Sequence, residues 1–276
     1  MAEVVCALGV PHTPFFPALV AREGPECETA RLFREVRGHL EAVAPDVLVV
    51  FDSDHVNTFF FDNWPTFAVG AMGTIAGPND DNTTILPPMV VAGNEDLASH
   101  LYTGGVHAGF DFSLTQKFTV DHSILVPLHF ITPSLNIPIV PLFINGIAPP
   151  LPSAKRCFAV GEFIRSAIAA WPRDMRVAIL ASGSFSLEVA GPKMRAGGMD
   201  GVPDPDWVLR VVEHLENAAI VELLEETTTD QLMRAGNVSG EILNWIALLG
   251  VIGKRKPRFV QPQLAQGHAY GVWRWD

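Results

Sequence analysis

Residues Glu3–Val10 form a β-branched, apolar run that stops at Pro11, and a second run, Val47–Phe51, lies between Pro45 and Asp52. Continuous apolar stretches of this length, bounded by proline or acid, predict strands buried on both faces. Between them Ala30, Leu32, Phe33, Val36, Leu40 and Val43 recur at spacings of mostly three and four, so Glu28–Ala44 is expected to be an amphipathic helix. Strand, helix and strand make a βαβ unit. The pattern returns with Asn136–Phe143 and Arg176–Leu180 as strands and Ala154–Ala170 as the helix between them. Such alternation predicts an α/β fold, a central mixed or parallel β-sheet covered by helices on both faces.

Residues 54–90 lack a clean period and carry Asn57, Asn63, Gly70, Gly73, Gly77, Pro78 and an Asn-Asp-Asp-Asn run at 79–82. They read as a long loop with short strands, and loops of that length usually serve function. After Pro205 the chain turns helical, with Trp207–Leu215, Ala218–Glu225, Thr229–Ala235 and Glu241–Leu249 as helices and Ser239 as the expected N-cap of the last. Phe259–Trp273 is expected to add strands. No repeat, linker or shift in composition divides the chain, so residues 1–276 are read as a single domain with a helical C-terminal part.

Composition narrows the partners. Nineteen Lys and Arg against thirty Asp and Glu leave a net charge of −11, with no basic stripe, which argues against nucleic acid. No apolar run approaches the ~20 residues of a membrane span. Cys6, Cys27 and Cys157 are isolated and follow no metal-type spacing, and the first residues lack the pattern of a secretory signal. The expected setting is a reducing cytoplasm, and the expected partners are small molecules or protein.

In open α/β sheets ligands sit beyond the carboxyl ends of the strands. His12 follows the first predicted strand, His55 the second, and Ser182-Gly183 the one that starts at Arg176. Histidines at neighbouring strand ends, one or two spacings of ~4.8 Å apart, can share a metal ion. Glu241 opens an otherwise apolar helix, where an unpartnered acid is costly, and would supply a carboxylate. Two histidines and one carboxylate form the facial set of non-haem Fe(II) oxygen chemistry. Each histidine alone also fits a loop or core role, and Glu241 fits an acid favoured by the helix dipole. Asp121-His122 opens another segment, and the acid either tunes the histidine for proton transfer or caps a helix. The His-Leu-Glu triplets at 39–41 and 214–216 fall within predicted helices, where residues two apart point away from each other and cannot grip one ion. No Gly-x-Gly-x-x-Gly or P-loop is present, and Ser184 is followed by Phe185-Ser186, so the Gly-x-Ser-x-Gly pattern of serine hydrolases fails.

Val10-Pro11-His12-Thr13-Pro14, Asp52-Ser53-Asp54-His55-Val56-Asn57 with Phe59-Phe60-Phe61-Asp62, Asp121-His122 with Val126-Pro127-Leu128, and Gly240-Glu241 through Trp245 together resemble the class III extradiol ring-cleavage dioxygenases, the superfamily of the protocatechuate 4,5-dioxygenase β-subunit. The resemblance extends in order and spacing over nearly the whole chain. It implies a single α/β domain, Fe(II) held by His12, His55 and Glu241, a catecholic or aminophenolic substrate bound beside O2, and His122 in the active site. The ligand set alone does not distinguish Fe(II) from Mn(II).

One departure stands out. Where the family shows a turn ending in Ser-His, this chain has Phe185-Ser186-Leu187-Glu188, and Leu187 cannot move a proton. Loss of a general acid/base typically forfeits ~10²–10⁴ in rate. Glu188, His129, His268 and Tyr270 are the candidate substitutes, while Phe185, Ser186 and Leu187 would border the substrate and make that wall more apolar. The leading expectation is an extradiol-type dioxygenase. The alternatives are a non-catalytic or partner-dependent subunit, and an iron enzyme that oxidises a related phenol without ring cleavage. The apolar helix at 241–249 and tryptophans 171, 207, 245, 273 and 275 lead us to expect a homo-oligomer or a hetero-oligomer with a second subunit.

Overall fold

A computed structural model of the chain describes residues 1–80, 84–198 and 200–275. In chain order the elements are β1 (Ala2–Val10), α1 (Phe16–Glu23), α2 (Glu28–Val43), β2 (Val47–Asp52), β3 (Phe67–Gly70), β4 (Thr74–Gly77), β5 (Met89–Ala92), α3 (Glu95–His107), β6 (Ser113–Thr115), α4 (His122–Ile131), β7 (Ile139–Ile144), α5 (Ala154–Ala169) and β8 (Met175–Ser182). There follow β9 (Glu188–Val189), β10 (Asp200–Gly201), α6 (Pro205–Asn217), α7 (Ile220–Glu226), α8 (Thr229–Ala235), a 3₁₀ turn at Ser239–Glu241, α9 (Ile242–Ile252), β11 (Phe259–Gln263) and β12 (His268–Arg274).

Eight strands make one mixed sheet in the order β11-β12-β1-β8-β2-β7-β3-β6. Its centre is parallel, because β1 pairs with β8, β8 with β2 and β2 with β7 in the same direction. The flanks turn antiparallel, at β12 against β1 and at β3 against β7. Every residue of β2 and β7 is buried, as expected for strands covered on both faces. Phe33, Val36 and Leu40 of α2 pack with Ile124, Leu125 and Leu128 of α4 and the Leu8 side of β1 in one core, and Ala7, Val49 and Ile179 face a second core built with α3, α5, α6 and α9. The two-faced α/β architecture expected from the sequence is the one observed.

In the second core, helices α5 and α9 approach until their backbones touch. A methyl group at Gly161 would lie 1.9 Å from the Ala247 carbonyl, and one at Gly250 would lie 2.1 Å from the Phe158 carbonyl. This contact seats α9, and with it Glu241, over the ends of the parallel strands.

Several boundaries differ from the sequence reading. Within 54–90, β3 and β4 and the start of β5 interrupt the loop, and residues 81–83 of the polar run lie outside the described residues. Ser239 does not cap α9: its hydroxyl donates to the Leu232 and Gly236 carbonyls and so closes the end of α8. The residue that precedes α9 is Glu241 itself, whose side chain makes no capping bond because it points to the histidines. Helix α3 went unpredicted, although Leu97, Ala98, Leu101 and Gly105 fall on one buried face and Asn94 caps it by accepting from the Leu97 N–H.

Candidate active site

The parallel strands point their carboxyl ends to one edge of the molecule, where His12 leaves β1, Ser53 and His55 leave β2, and Ser182-Gly183 ends β8. His122 is the first residue of α4, whose N-cap Asp121 accepts a bond from the Ser123 N–H. Glu241 is fully buried and enters over the same edge. Gly183 makes room for it: the residue has φ 151°, and a side chain there would lie 2.5 Å from the Glu241 Cβ.

The rings of His12, His55 and His122 cluster, with centroids 5.2 Å, 4.5 Å and 5.6 Å apart for the pairs 12–55, 55–122 and 12–122. Each offers a nitrogen, and all three nitrogens lie within 4.8 Å of one another. One carboxylate oxygen of Glu241 stands 2.9 Å from His12 Nε2 and 3.1 Å from His55 Nε2, while the other accepts from the Ser184 N–H at 2.7 Å.

The hydrogen-bond partners decide where the protons sit. Ser182 gives its hydroxyl to the Ser123 carbonyl at 2.9 Å, so at 2.6 Å it accepts from His12, whose Nδ1 carries the hydrogen. His55 Nδ1 faces the Asp121 carboxylate at 3.3 Å, an acceptor only, and it too carries a hydrogen. Both Nε2 lone pairs then face the same carboxylate oxygen. Three electron-rich atoms at such distances require a cation between them, either a proton or a metal ion.

Electrostatics agree. Burial would raise the Glu241 carboxyl, yet the charge and hydrogen bonds of His12 and His55 hold it well below the usual carboxylate range. Burial lowers His12, against the pull of Glu241. For His55 burial also acts downward, but bonds to Asp121 and Glu241 reverse the effect and lift it well above an ordinary imidazole. His55 is thus the site of the proton that bridges to Glu241, and a divalent cation would take that proton's place, held by two imidazole nitrogens and a carboxylate.

Asp121 Oδ2 also accepts from the His55 N–H at 3.0 Å and from Asn57 at 2.9 Å. The turn after β2 is tied down by Asp54, which accepts from the N–H groups of Asn57, Thr58 and Phe59. On the other side of the cluster, buried Asp80 is hydrogen-bonded to His122 Nδ1. Asp80 was missed in the sequence because it sits among Asn and Asp residues that read as turn formers.

A cavity of about 930 Å³ opens over this cluster, with His12, His55, His122, Asp80 and Glu241 in its wall. Of the other residues singled out, Leu187 lines it, whereas Phe185, Ser186, Glu188, His129 and His268 are absent from its lining. Phe185 is buried 4.8 Å from the Trp245 ring. Ser186 bridges the Asp204 N–H and the Ala235 carbonyl, and Glu188 accepts from the Asn237 N–H. His129, in the last turn of α4, packs its ring edge-on against Phe130. His268 is buried between Phe16 and Tyr270, and neither ring nitrogen has a hydrogen-bond partner of normal geometry. The triplet histidines stay on helix surfaces, His39 beside Glu35 and His214 beside Glu226.

Residues 6–272 match the family described as the catalytic LigB subunit of aromatic ring-opening dioxygenase. The chain is 28% identical over 292 residues to a 2,3-dihydroxyphenylpropionate/2,3-dihydroxicinnamic acid 1,2-dioxygenase of Burkholderia vietnamiensis, covering 89% of this chain and 87% of that protein. A 2,3-dihydroxyphenylpropionate/2,3-dihydroxicinnamic acid 1,2-dioxygenase 2 of Pseudomonas putida is 32% identical over 193 residues, covering 66% of this chain and 56% of that protein. Among solved structures, an uncharacterized protein of Escherichia coli K12 shares the fold, with a TM-score of 0.60 at 18% identity over 97% of this chain and 98% of that one.

Proposed function

The chain belongs to the LigB family, the catalytic subunits of aromatic ring-opening dioxygenases, and on that premise we propose that it is a non-haem Fe(II)-dependent extradiol-type dioxygenase. It would insert O2 into a catecholic, aminophenolic or related hydroxylated ring and open it. The observation that carries this reading is the convergence of His12 Nε2 and His55 Nε2 on one Glu241 oxygen, with both Nδ1 atoms already committed. His12, His55 and Glu241 would hold the metal, which supplies the open coordination positions and the electrons that O2 chemistry needs.

The chain's own residues do the rest. Ser182 and Asp121 fix the two imidazoles and their tautomers. His122, with Nδ1 bonded to Asp80, keeps Nε2 for the substrate and is the group that takes a ring hydroxyl proton and returns it. Leu187 lines the cavity, and if it stands where the family resemblance leads one to expect a second proton carrier, His122 would serve alone on this side. The described side chains also line the cavity with apolar surface that limits water around the reacting ring.

Leu187 favours a second reading, a subunit that turns over only with a partner chain. Among the described residues no helix is long and apolar enough to cross a membrane. The three free cysteines fit a reducing cytoplasm.

The test is anaerobic loading with Fe(II) or Mn(II), followed by oxygen-electrode traces and visible spectra against catechols, protocatechuate, gallate, aminophenols and dihydroxypyridines. Oxygen uptake with a yellow ring-opened product supports the dioxygenase. Tight metal binding with no uptake on any of them transfers the weight to the partner-dependent subunit. Leu187→His in the loaded protein is expected to raise turnover on simple catechols by ~10-fold or more.

A further inference from the structure

The 930 Å³ cavity is several times larger than one diol ring requires, so most of it accommodates something attached to that ring. The wall divides by chemistry. His12, His55, His122, Asp80 and Glu241 gather at the cluster, whereas Phe16 and Leu19 from the start of α1 and Val189, Met194 and Val202 from the β9–β10 segment give the remaining wall an apolar character. Leu187 adds to this apolar lining.

Away from the histidine cluster, the basic side chains among the described lining residues are Arg22 and Arg195, and both are exposed. Arg22 is already paired with the Glu23 carboxylate at 2.9 Å, and Arg195 donates to the Ala265 carbonyl. The Asp200 carboxylate shares the same wall. An anionic tail on the substrate, lying away from the cluster, would exchange its hydration for apolar contacts with no buried arginine or lysine to receive it. A hydrocarbon tail loses only unfavourable exposure to water.

We propose that the ring this protein opens carries an extended, uncharged hydrocarbon substituent, alkyl or aryl, which lies against Phe16, Leu19, Val189, Met194 and Val202. The inference rests on the dioxygenase reading above and names the substrate class of that same site. It sets this chain apart from the relatives whose names carry a short acidic side chain.

The metal-loaded protein is compared on catechol, 3-pentylcatechol and 3-(2-carboxyethyl)catechol, by oxygen uptake and by anaerobic spectral titration for binding. The pentyl compound is expected to exceed both others in kcat/KM by at least ~10-fold, expressed chiefly in KM and in the anaerobic Kd. Val202→Asp and, independently, Leu19→Asp are expected to erase that preference. Uptake on all three with equal kcat/KM, or with the carboxyethyl compound preferred, overturns the substrate class and leaves the dioxygenase reading standing. Absence of uptake on every diol overturns that reading and the inference with it.

Discussion

His12 and Ser182 share a 2.6 Å hydrogen bond from Nδ1 to Oγ, and that bond decides which nitrogen of His12 is left facing Glu241. Ser182 can accept because its own hydrogen is given to the Ser123 carbonyl. Ser182→Ala removes the acceptor and lets the ring rotate or take the other tautomer. Divalent metal affinity is then expected to fall by roughly 10–100-fold, read by competition against a chelating dye, with far-UV circular dichroism unchanged.

Asp80 bears on His122 rather than on the metal cluster's carboxylate. Asp80→Asn keeps the shape but replaces the carboxylate that is hydrogen-bonded to His122 Nδ1 and orients its ring. The expected outcome is a kcat lower by at least ~10²-fold, with metal content and KM close to those of the parent. A variant with full kcat would show that His122 works without its partner.

His268 is buried and its imidazole is pulled down to about 3, chiefly by loss of solvent. Below pH 6.5 the unfolded chain's imidazole takes up a proton that the folded site refuses until pH 3. Acidification across that window therefore costs up to about 1.4 kcal/mol of stability per pH unit from this residue. His268→Phe is expected to flatten the fall in urea midpoint between pH 6 and pH 4 relative to the parent. An unchanged pH slope would mean that the imidazole becomes solvated in the native protein.

Gly250 seats α9 against α5 with no space for a methyl group, since its Cβ would meet the Phe158 carbonyl at 2.1 Å and the Gly161 Cα at 2.9 Å. Gly250→Ala must push the helices apart, at an expected cost of about 1–3 kcal/mol by denaturant unfolding. Because α9 follows directly from Glu241, metal affinity is expected to fall with it.

The elements legible in the sequence were those whose environment is uniform. β2 and β7 are covered on both faces and read as apolar runs, and α2 shows a clean stripe because one face meets the sheet and the other meets water. Helix α3 was obscured by Gly104 and Gly105, which pack beside Phe163 and Phe112 and lower the apparent helix propensity. In the site, His12 and His55 stood out because each directly follows a strand. Ser182 stood out only as a strand end and Asp121 only beside His122, not as the partners of His12 and His55. Ser182 and Asp121 hold the histidines through hydrogen bonds to distant parts of the chain, and Asp80 reaches His122 across 42 positions, relations no local period records. The stretch after Gly183 was read as one wall, but its side chains diverge: Leu187 meets the cavity while Phe185 turns to Trp245.

The pairing of β1 with both β8 and β12 sets the terms on which this chain folds. Cys6 lies opposite Arg274 on one side and Ala178 on the other, so the strand nearest the start of the sequence waits for partners from its distant end. Contacts of such large separation close loops at high entropic cost and slow the search for the native state. Until they form, β1 presents two bare edges of a Val-rich segment, a template for pairing with other chains. Production at low temperature and low protein concentration, which disfavours pairing between unfinished chains, is therefore expected to raise the yield of folded protein.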